Sequence, residues 1–255
     1  MPGNGRIIGP KNTSVVNGGI WSPHESAFRV TQKKWPRTIT ESGLVLNYNL
    51  ADTASYPGSG TTIFDLSNSK LNATGSVAPT GQALQPGQTY STGTTGILNL
   101  DTHSIFFSIQ INDTSGNWSK VFSYNGGGTD RSPGVWRYPS ERKLHWRYDP
   151  NNTDSDFSST ATGGYSSPGT EFAINTWYYV GVTKNGGTTI PYVNGAALGT
   201  RTGLSNPKSA GTAAVILYEG YSGNGKLRHV HIYNRVLSAS EVSDNYSAIA
   251  NDLTF

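Results

Sequence analysis

Cysteine is absent from the sequence, which excludes disulfide bonds and thiolate metal sites. Charged residues make up only 14% of the chain, and no apolar run approaches the roughly 20 residues that cross a bilayer. The first residues, MPGNGRIIGPKN, lack the apolar segment of a signal peptide. The sequence therefore predicts a protein that has no membrane contact and no secretory leader.

The sequence is instead rich in glycine and aromatic residues, with 31 Gly, 14 Tyr and 6 Trp among 255 residues. Residues 43–50 alternate apolar and polar side chains, which is the pattern of a strand with one buried face. Asn- and Gly-rich turns separate many such short segments, and this arrangement predicts a β-sandwich or barrel. The other predicted strands are residues 61–64, 97–100, 103–111, 120–124, 134–138, 143–148, 177–184, 188–194, 213–218 and 226–233.

One helix is predicted near the C-terminal end. Ser238 and Glu241 have the spacing of a capping box, in which each side chain bonds the other residue's backbone amide. Val242, Tyr246 and Ile249 then recur at the spacing of one helix face. We expect this apolar stripe to pack over one edge or end of the sandwich.

The first forty residues differ in charge from the rest of the chain. They carry a net charge of +5, whereas the remaining 215 residues carry −2. A Gly-, Asn- and Pro-rich start without periodicity predicts an extended arm with a short helix after Ser22, so the expected division is an arm over 1–42 and a sandwich over 43–255. The basic charge is too weak and too local to predict nucleic-acid binding.

Aromatic and basic side chains of this arm suit docking onto a partner protein, because aromatic and arginine residues are enriched at interfaces. The alternative, that the arm's aromatic residues pack on the chain's own sandwich, is equally open. The predicted docking residues are Trp21, Phe28, Lys33, Lys34, Trp35 and Arg37.

Two motifs in the second half resemble the laminin-G-like domain of the concanavalin A-like lectin/glucanase superfamily. Residues 175–187, NTWYYVGVTKNGG, and 192–195, YVNG, are similar to the family's NTWYHVAVTYDGG and YVNG. Residues 225–241, GKLRHVHIYNRVLSASE, are similar to GKIDEVRIYNRALSASE, although Arg228 replaces the usual acidic residue. The resemblance covers about 43–250. It implies an all-β, two-sheet antiparallel jelly-roll sandwich with one short C-terminal helix, behind an extended N-terminal arm.

The arm resembles another group of proteins. Gly-Gly-Ile-Trp-Ser at 18–22, followed by Trp-Pro at 35–36, is similar to the N-termini of structural proteins of tailed bacteriophages, notably marine phages. The resemblance implies a virion component that is assembled in the host cytoplasm and held to other virion proteins through residues 1–40. It also implies a homo-oligomer whose sandwich faces outward, where it can meet a glycan of the host surface.

Four aromatic residues on two neighbouring predicted strands are the candidate glycan-binding residues. Trp136 and Tyr138 share one face of their strand, Trp146 and Tyr148 share one face of the next, and Asp149 follows. Aromatic faces beside charged groups can stack on sugar rings and bind their hydroxyls. The alternative is that the four aromatics fill the core or a subunit interface, and the dominance of aromatics in cores favours it.

Metal ligands are scarce. Asp149, Asn151, Asp154 and Asp156 form an oxygen-rich segment that could hold calcium, but Asp and Asn also favour plain solvated turns, and that interpretation is favoured. His229 and His231 share a strand face but lack a third zinc ligand, so they are expected to be exposed polar positions. No other cofactor is predicted.

The sequence lacks the motifs of catalysis found in related folds. No Glu-x-Asp-x-x-Glu strand of paired carboxylates and no Gly-x-Ser-x-Gly elbow occurs, although a dispersed Ser-His-Asp site stays open. We therefore expect a non-catalytic virion structural protein, such as a capsid decoration, head fibre or tail component, that displays a lectin-like domain. The alternatives are a free-standing carbohydrate-binding module and, third, a glycan-degrading enzyme.

Overall fold

The computed structural model describes residues 38–94, 101–125, 133–148, 155–157, 171–203, 214–218 and 224–253. One helix, α1 (Ala239–Ile249), runs into a 3-10 turn (Ala250–Leu253), and all other regular elements of the described residues are strands. The strands are β1 Leu44–Asn49, β2 Thr62–Ile63, β3 Ala73–Gly75, β4 Tyr90–Thr94, β5 Thr102–Ile111, β6 Ser119–Asn125, β7 Gly134–Arg137, β8 Leu144–Arg147, β9 Ser155–Phe157, β10 Trp177–Asn185, β11 Thr188–Val193, β12 Ala196–Ala197, β13 Ala214–Leu217 and β14 Gly225–Tyr233.

The strands form two antiparallel sheets. The six-stranded sheet has the order β1-β14-β5-β10-β11-β12, and the eight-stranded sheet has the order β2-β3-β4-β13-β6-β7-β8-β9. The expected all-β sandwich with one short C-terminal helix is confirmed. Strands β3, β4, β9 and β12 were not predicted, because they are short and lack a clear alternation. The predicted strand 97–100 lies outside the described residues.

The core lies between the two sheets and follows from the alternation of side chains along each strand. In β5, Ile105, Phe107 and Ile109 point inward and are fully buried. Trp146 of the opposite sheet stacks on Phe107, with ring centroids 6.2 Å apart and planes 9° apart. Burying each such side chain stabilises the fold by about 1.5–3 kcal/mol.

The hairpin between β11 and β12 confirms the turn signal in the sequence. Asn194 and Gly195 both adopt positive φ, at 50° and 82°, as a two-residue hairpin turn requires. The Asn194 side chain then accepts a hydrogen bond from the Tyr179 backbone amide at 2.9 Å. Strand β11 contains Pro191 but is not the edge strand, because the two-residue strand β12 pairs beyond it.

Helix α1 covers the outer face of the six-stranded sheet, which is the face turned away from the core, rather than an edge or end as expected. Its capping box, Ser238 with Glu241, is formed as predicted. A second apolar cluster fills the space under the helix. It consists of Phe106, Tyr179, Tyr192, Tyr233, Leu237, Val242 and Ile249.

The described residues include no helix that is both long and apolar enough to cross a membrane.

Candidate functional site

The outer face of the eight-stranded sheet carries a cluster of four rings, Trp118, Trp136, Tyr138 and His145, which we call the aromatic patch. Trp136 in β7 lies directly opposite His145 in β8, so both side chains leave the sheet on the same face. Tyr138 follows β7 on that face. Trp118 lies two residues before Lys120, the residue of β6 that pairs with Trp136.

The rings of the aromatic patch contact one another. Trp118 lies 4.6 Å from Tyr138 and 5.0 Å from His145 between ring centroids, and Trp136 lies 6.3 Å from His145. A hydrogen bond of 3.1 Å joins the Tyr138 hydroxyl to His145 Nδ1. His145 and Trp136 are buried, Tyr138 is half-buried, and Trp118 remains 47% exposed. The patch therefore presents about half of an indole side chain to solvent beside three less exposed rings.

Arg137 holds the backbone around the patch, although its side chain is fully buried. Its guanidinium donates to the carbonyls of Tyr138 and Glu141 at 3.0 and 3.3 Å, inside the β7–β8 hairpin. It also donates to the Ser115 carbonyl and, at 3.3 Å, to Ser119 Oγ, on either side of Trp118. The planar guanidinium thus joins the hairpin to the loop that carries the exposed indole.

Asp113 fixes the other end of that loop. Its carboxylate accepts hydrogen bonds from the backbone amide and side-chain amide of Asn224, at 3.0 and 2.8 Å, and from Ser115. Burial alone would raise the pKa of Asp113, but these hydrogen bonds together hold it below its ordinary value. The carboxylate therefore stays charged at neutral pH and keeps the loop closed against the turn before β14.

Trp146 and Tyr148 do not belong to this surface, and their assignment to a glycan platform was wrong. Both point into the core, where they are 0% and 1% exposed, because β8 alternates and His145 takes the outer face. The Tyr148 hydroxyl lies 3.3 Å from His103 Nε2, and burial raises the pKa of the phenol well above its usual range. The core alternative therefore holds for this pair, while Trp136 and Tyr138 lie on the outer face.

The remaining predicted site residues lie outside the described residues. This applies to Asp149 and to the calcium candidates Asn151 and Asp154, and for Asp156 the structure describes only the backbone, which pairs with His145. It applies also to every predicted docking residue of the arm, namely Trp21, Phe28, Lys33, Lys34, Trp35 and Arg37. These assignments stay predictions. Across the parts of the chain that the structure describes, no three His, Asp or Glu side chains are grouped as a metal site.

His229 and His231 are buried, so the expectation of exposed polar positions was wrong. They do face outward from the six-stranded sheet, but α1 and the 3-10 turn cover that face, leaving the two imidazoles 0% and 1% exposed. Burial lowers the pKa of both rings, to about 3 for His231, where the neighbouring His229 adds to the effect. Both imidazoles are therefore neutral at neutral pH.

The structure brings one Ser-His-Asp group together. Ser108 Oγ lies 2.8 Å from His229 Nδ1, and Asp252 Oδ2 lies 3.4 Å from His229 Nε2. This is the reverse of the usual arrangement in serine hydrolases, in which the serine contacts Nε2. Because Ser108 and His229 are both 0% exposed, a substrate has no path to the hydroxyl. The group ties β5 and β14 to the C-terminal 3-10 turn.

Carboxylates near the aromatic patch are engaged in ion pairs. Glu171 lies 2.6 Å from Arg142, and Glu141 lies 2.8 Å from Lys143, all around the β7–β8 hairpin. The patch therefore offers aromatic faces flanked by polar groups, an arrangement suited to holding a hydroxyl-bearing ring.

Sequence reasoning missed Trp118 and His145. The signal for His145 was available, because it stands between two inward-facing residues, Leu144 and Trp146, and lies opposite Trp136. Trp118 sits in a Gly- and Asn-containing loop without periodicity, so its position depends on the contacts made by Arg137.

A model of the laminin G type, described as the concanavalin A-like lectin/glucanases superfamily, matches residues 85–243. No curated protein matches the sequence. Among solved structures, the chain is similar to Trypanosoma rangeli sialidase, with a TM-score of 0.57 and 14% identity over 80% of this chain and 32% of that one.

It is also similar to the binding domain of botulinum neurotoxin serotype D, with a TM-score of 0.56 and 16% identity, covering 80% of this chain and 51% of that one. The receptor binding domain of a botulinum neurotoxin C/D mosaic serotype gives a TM-score of 0.57 and 15% identity over the same shares. The chain thus spans a third to a half of these structures, and at such identities the likeness shows the fold alone.

Proposed function

Because the chain belongs to the concanavalin A-like lectin/glucanases superfamily, we propose that it is a non-catalytic glycan-binding domain whose binding surface is the aromatic patch. The observation that carries this proposal is Trp118, an indole 47% exposed that is held in place by contacts to Tyr138 and His145. An exposed indole that adjoins other aromatic rings forms a contiguous apolar patch, and such patches mark binding surfaces, whereas single exposed apolar residues do not.

The chemistry of the patch suits a sugar ring. The indole face of Trp118 can stack on the C–H face of a sugar, and the rigid base from Arg137 and Asp113 means that little entropy is lost when a ligand binds. The names of two similar structures are in keeping with recognition, since one is a sialidase in complex with sialic acid and another is a toxin's receptor binding domain.

We propose that the domain binds a glycan and does not hydrolyse it. Glycosidases place two carboxyl groups about 5–9.5 Å apart on either side of the scissile bond. Beside the patch, Glu141 and Glu171 are each engaged in an ion pair with a basic side chain, so neither is free to face a scissile bond.

Replacing Trp118 tests this proposal. Trp118→Ala should abolish binding on a glycan array while lowering the free energy of unfolding by only about 1 kcal/mol, since about half of the side chain is exposed. The matched control is Phe64→Ala, because Phe64 is an exposed aromatic, 41% accessible, outside the patch. It should bind as the unmodified chain does. Unchanged glycan binding by Trp118→Ala would contradict the assignment.

We further propose that the domain is displayed on the virion of a tailed phage, with residues 1–42 docking a homo-oligomer onto other virion proteins. The net charge of +5 over the first forty residues and the tailed-phage-like motifs at 18–22 and 35–36 support this proposal. A free-standing carbohydrate-binding module is the alternative.

Deleting residues 2–37 tests the docking role of the arm. The deletion spares Thr40, whose backbone amide donates to Asn245 at 2.7 Å and so belongs to the covered face. We expect a folded sandwich that no longer co-assembles with virion proteins in sedimentation experiments. Normal co-assembly of the truncated chain would favour the free-standing module.

A further inference from the structure

A cavity of about 430 Å³ lies on the side of the sandwich opposite the aromatic patch, between β1 and the end of α1. We call it the polar cavity. Its volume falls within the range of sites that take small molecules, about 300–1,000 Å³. Polar side chains reach it from two neighbouring strands and from the 3-10 turn, while Leu44 and Ile249 supply an apolar wall.

Asn47 and His231 stand side by side in this cavity. They are directly paired across β1 and β14, and both project from the outer face of the six-stranded sheet. The side-chain amide of Asn47 has no hydrogen-bond partner among the described residues, although both its oxygen and its nitrogen can form such bonds. An amide of this kind beside a cavity is available to a ligand.

His231 contributes a buried donor. Its Nδ1 lies 2.9 Å from the Tyr179 hydroxyl. We assign the Tyr179 hydroxyl as the donor to Nδ1, so the neutral ring carries its own proton on Nε2. Within the described part of the chain Nε2 has no partner, and the ring, 1% exposed, lines the cavity.

Asp252 supplies the matching acceptor. Its Oδ2 lies 3.4 Å from Asn49 Nδ2 and from His229 Nε2, and the same carboxylate lines the cavity. Burial alone would raise the pKa of Asp252, but the hydrogen bonds from His229 and Asn49 and the charge of Arg228 keep it below its ordinary value. The cavity is therefore lined by a charged acceptor, Asp252, and by a neutral donor, His231.

These groups select among classes of ligand. A hydroxyl can accept from the Nε2 proton and can donate to a carboxylate, whereas an ammonium group can only donate and would leave the Nε2 proton without an acceptor. The described lining contains the carboxylates of Glu41, Asp52 and Asp252 and no Lys or Arg, so it would repel an anion. The set suits a neutral ring that carries several adjacent hydroxyls.

We propose that the polar cavity binds one neutral sugar residue, with hydroxyls on Asn47, His231 and Asp252 and a C–H face against Leu44 and Ile249. The bound sugar can be a free monosaccharide or the end residue of a glycan chain. This site is independent of the aromatic patch, because the two lie on opposite outer faces of the sandwich.

The test uses the full chain labelled with ¹⁵N and titrated by NMR with glucose, galactose, mannose, fucose and N-acetylglucosamine, free and as the end residue of an oligosaccharide. At least one probe should shift the Asn47 side-chain amide and His231 Nε2 in a saturable way. Asn47→Ala should weaken that binding about tenfold, the loss expected from a hydrogen bond. Asn185→Ala is the matched control, an exposed asparagine in β10 away from the cavity, and should bind normally.

The outcomes separate this site from the aromatic patch. Trp118→Ala should leave the shifts at Asn47 unchanged even where it abolishes binding on the glycan array. Binding of the free sugars identifies a monosaccharide site, and binding of the oligosaccharide ends alone identifies a chain-end site. The proposal is overturned if no probe shifts these two groups, if Asn47→Ala binds as tightly as the unmodified chain, or if Trp118→Ala removes the shifts.

Discussion

The two outer faces of the sandwich both carry aromatic and histidine side chains, but within the described part of the chain a helix covers only the face of the six-stranded sheet. On the six-stranded sheet, α1 and the 3-10 turn bury His229 and His231 with a second apolar cluster. On the eight-stranded sheet, Trp118 stays 47% exposed above His145. Residue type alone therefore does not decide whether such a face stabilises the fold or is open to a ligand. The segment formed by α1 and the 3-10 turn decides which face is covered.

The largest expected loss of stability comes from a substitution in the core between the two sheets. Trp146→Ala removes a fully buried indole that stacks on Phe107, and it should cost about 3–5 kcal/mol of unfolding free energy. Trp118→Ala, the same substitution on the open face, should lower that free energy by only about 1 kcal/mol. Urea denaturation measures both. Equal losses would mean that the open face is part of the stabilising core.

Asn245 tests whether polar contacts hold the covered face together. It is fully buried, accepts from the Thr40 amide at 2.7 Å and donates to the Tyr233 hydroxyl at 2.9 Å. Asn245→Ala leaves these buried groups without a partner and should cost about 3 kcal/mol.

Ser247→Ala, on the exposed side of the same helix, is the control and should be nearly neutral. If the two variants unfold at the same urea concentration, apolar packing alone holds the helix on the sheet.

Acid should destabilise the fold through His231 on the covered face. The folded chain keeps the pKa of His231 at about 3, against roughly 6.5 when unfolded, so below pH 6.5 the unfolded chain takes up a proton that the folded chain does not. Stability is therefore full above pH 6.5 and falls toward pH 3, by about 2 kcal/mol at pH 5 from this group.

Thermal melts at pH 7 and pH 5 measure this loss. His231→Asn retains an acceptor for Tyr179 and removes the titrating ring, so its melting temperature should fall less on acidification. An equal fall for both chains would assign the acid sensitivity to other groups.

The sequence predicted much of the fold because alternation and turn chemistry are local. The strand around Phe107, the capping box of Ser238 and the Asn194 turn all follow from neighbours in the chain. Alternation also predicts which residues share a face. It does not say which face is inward, so Trp136 and Trp146 looked alike although one faces outward and the other inward.

The covering of a face is a long-range property, and this is why the histidines were misassigned. Nothing near His231 in the chain indicates that Asp252 and Ile249 will border it, because a helix must first turn back over the sheet. The exposed site depends on long-range contacts too. Arg137 donates a hydrogen bond to Ser119, eighteen residues earlier in the chain, and this contact helps to place the neighbouring Trp118. Both sites therefore lie where local patterns carry the least information.

The position of β14 has a consequence for how the protein is made. This strand lies between β1 and β5, and among the described residues it is the one strand that pairs with β1. A chain growing from the ribosome leaves β1 unpaired until residues 225–233 emerge, more than 180 residues after Leu44 is made. Pairing over so large a separation is slow, and an unpaired apolar strand is prone to aggregate. We therefore expect synthesis to be the stage at which this sandwich is most vulnerable, with chaperones protecting β1 until the final strand arrives.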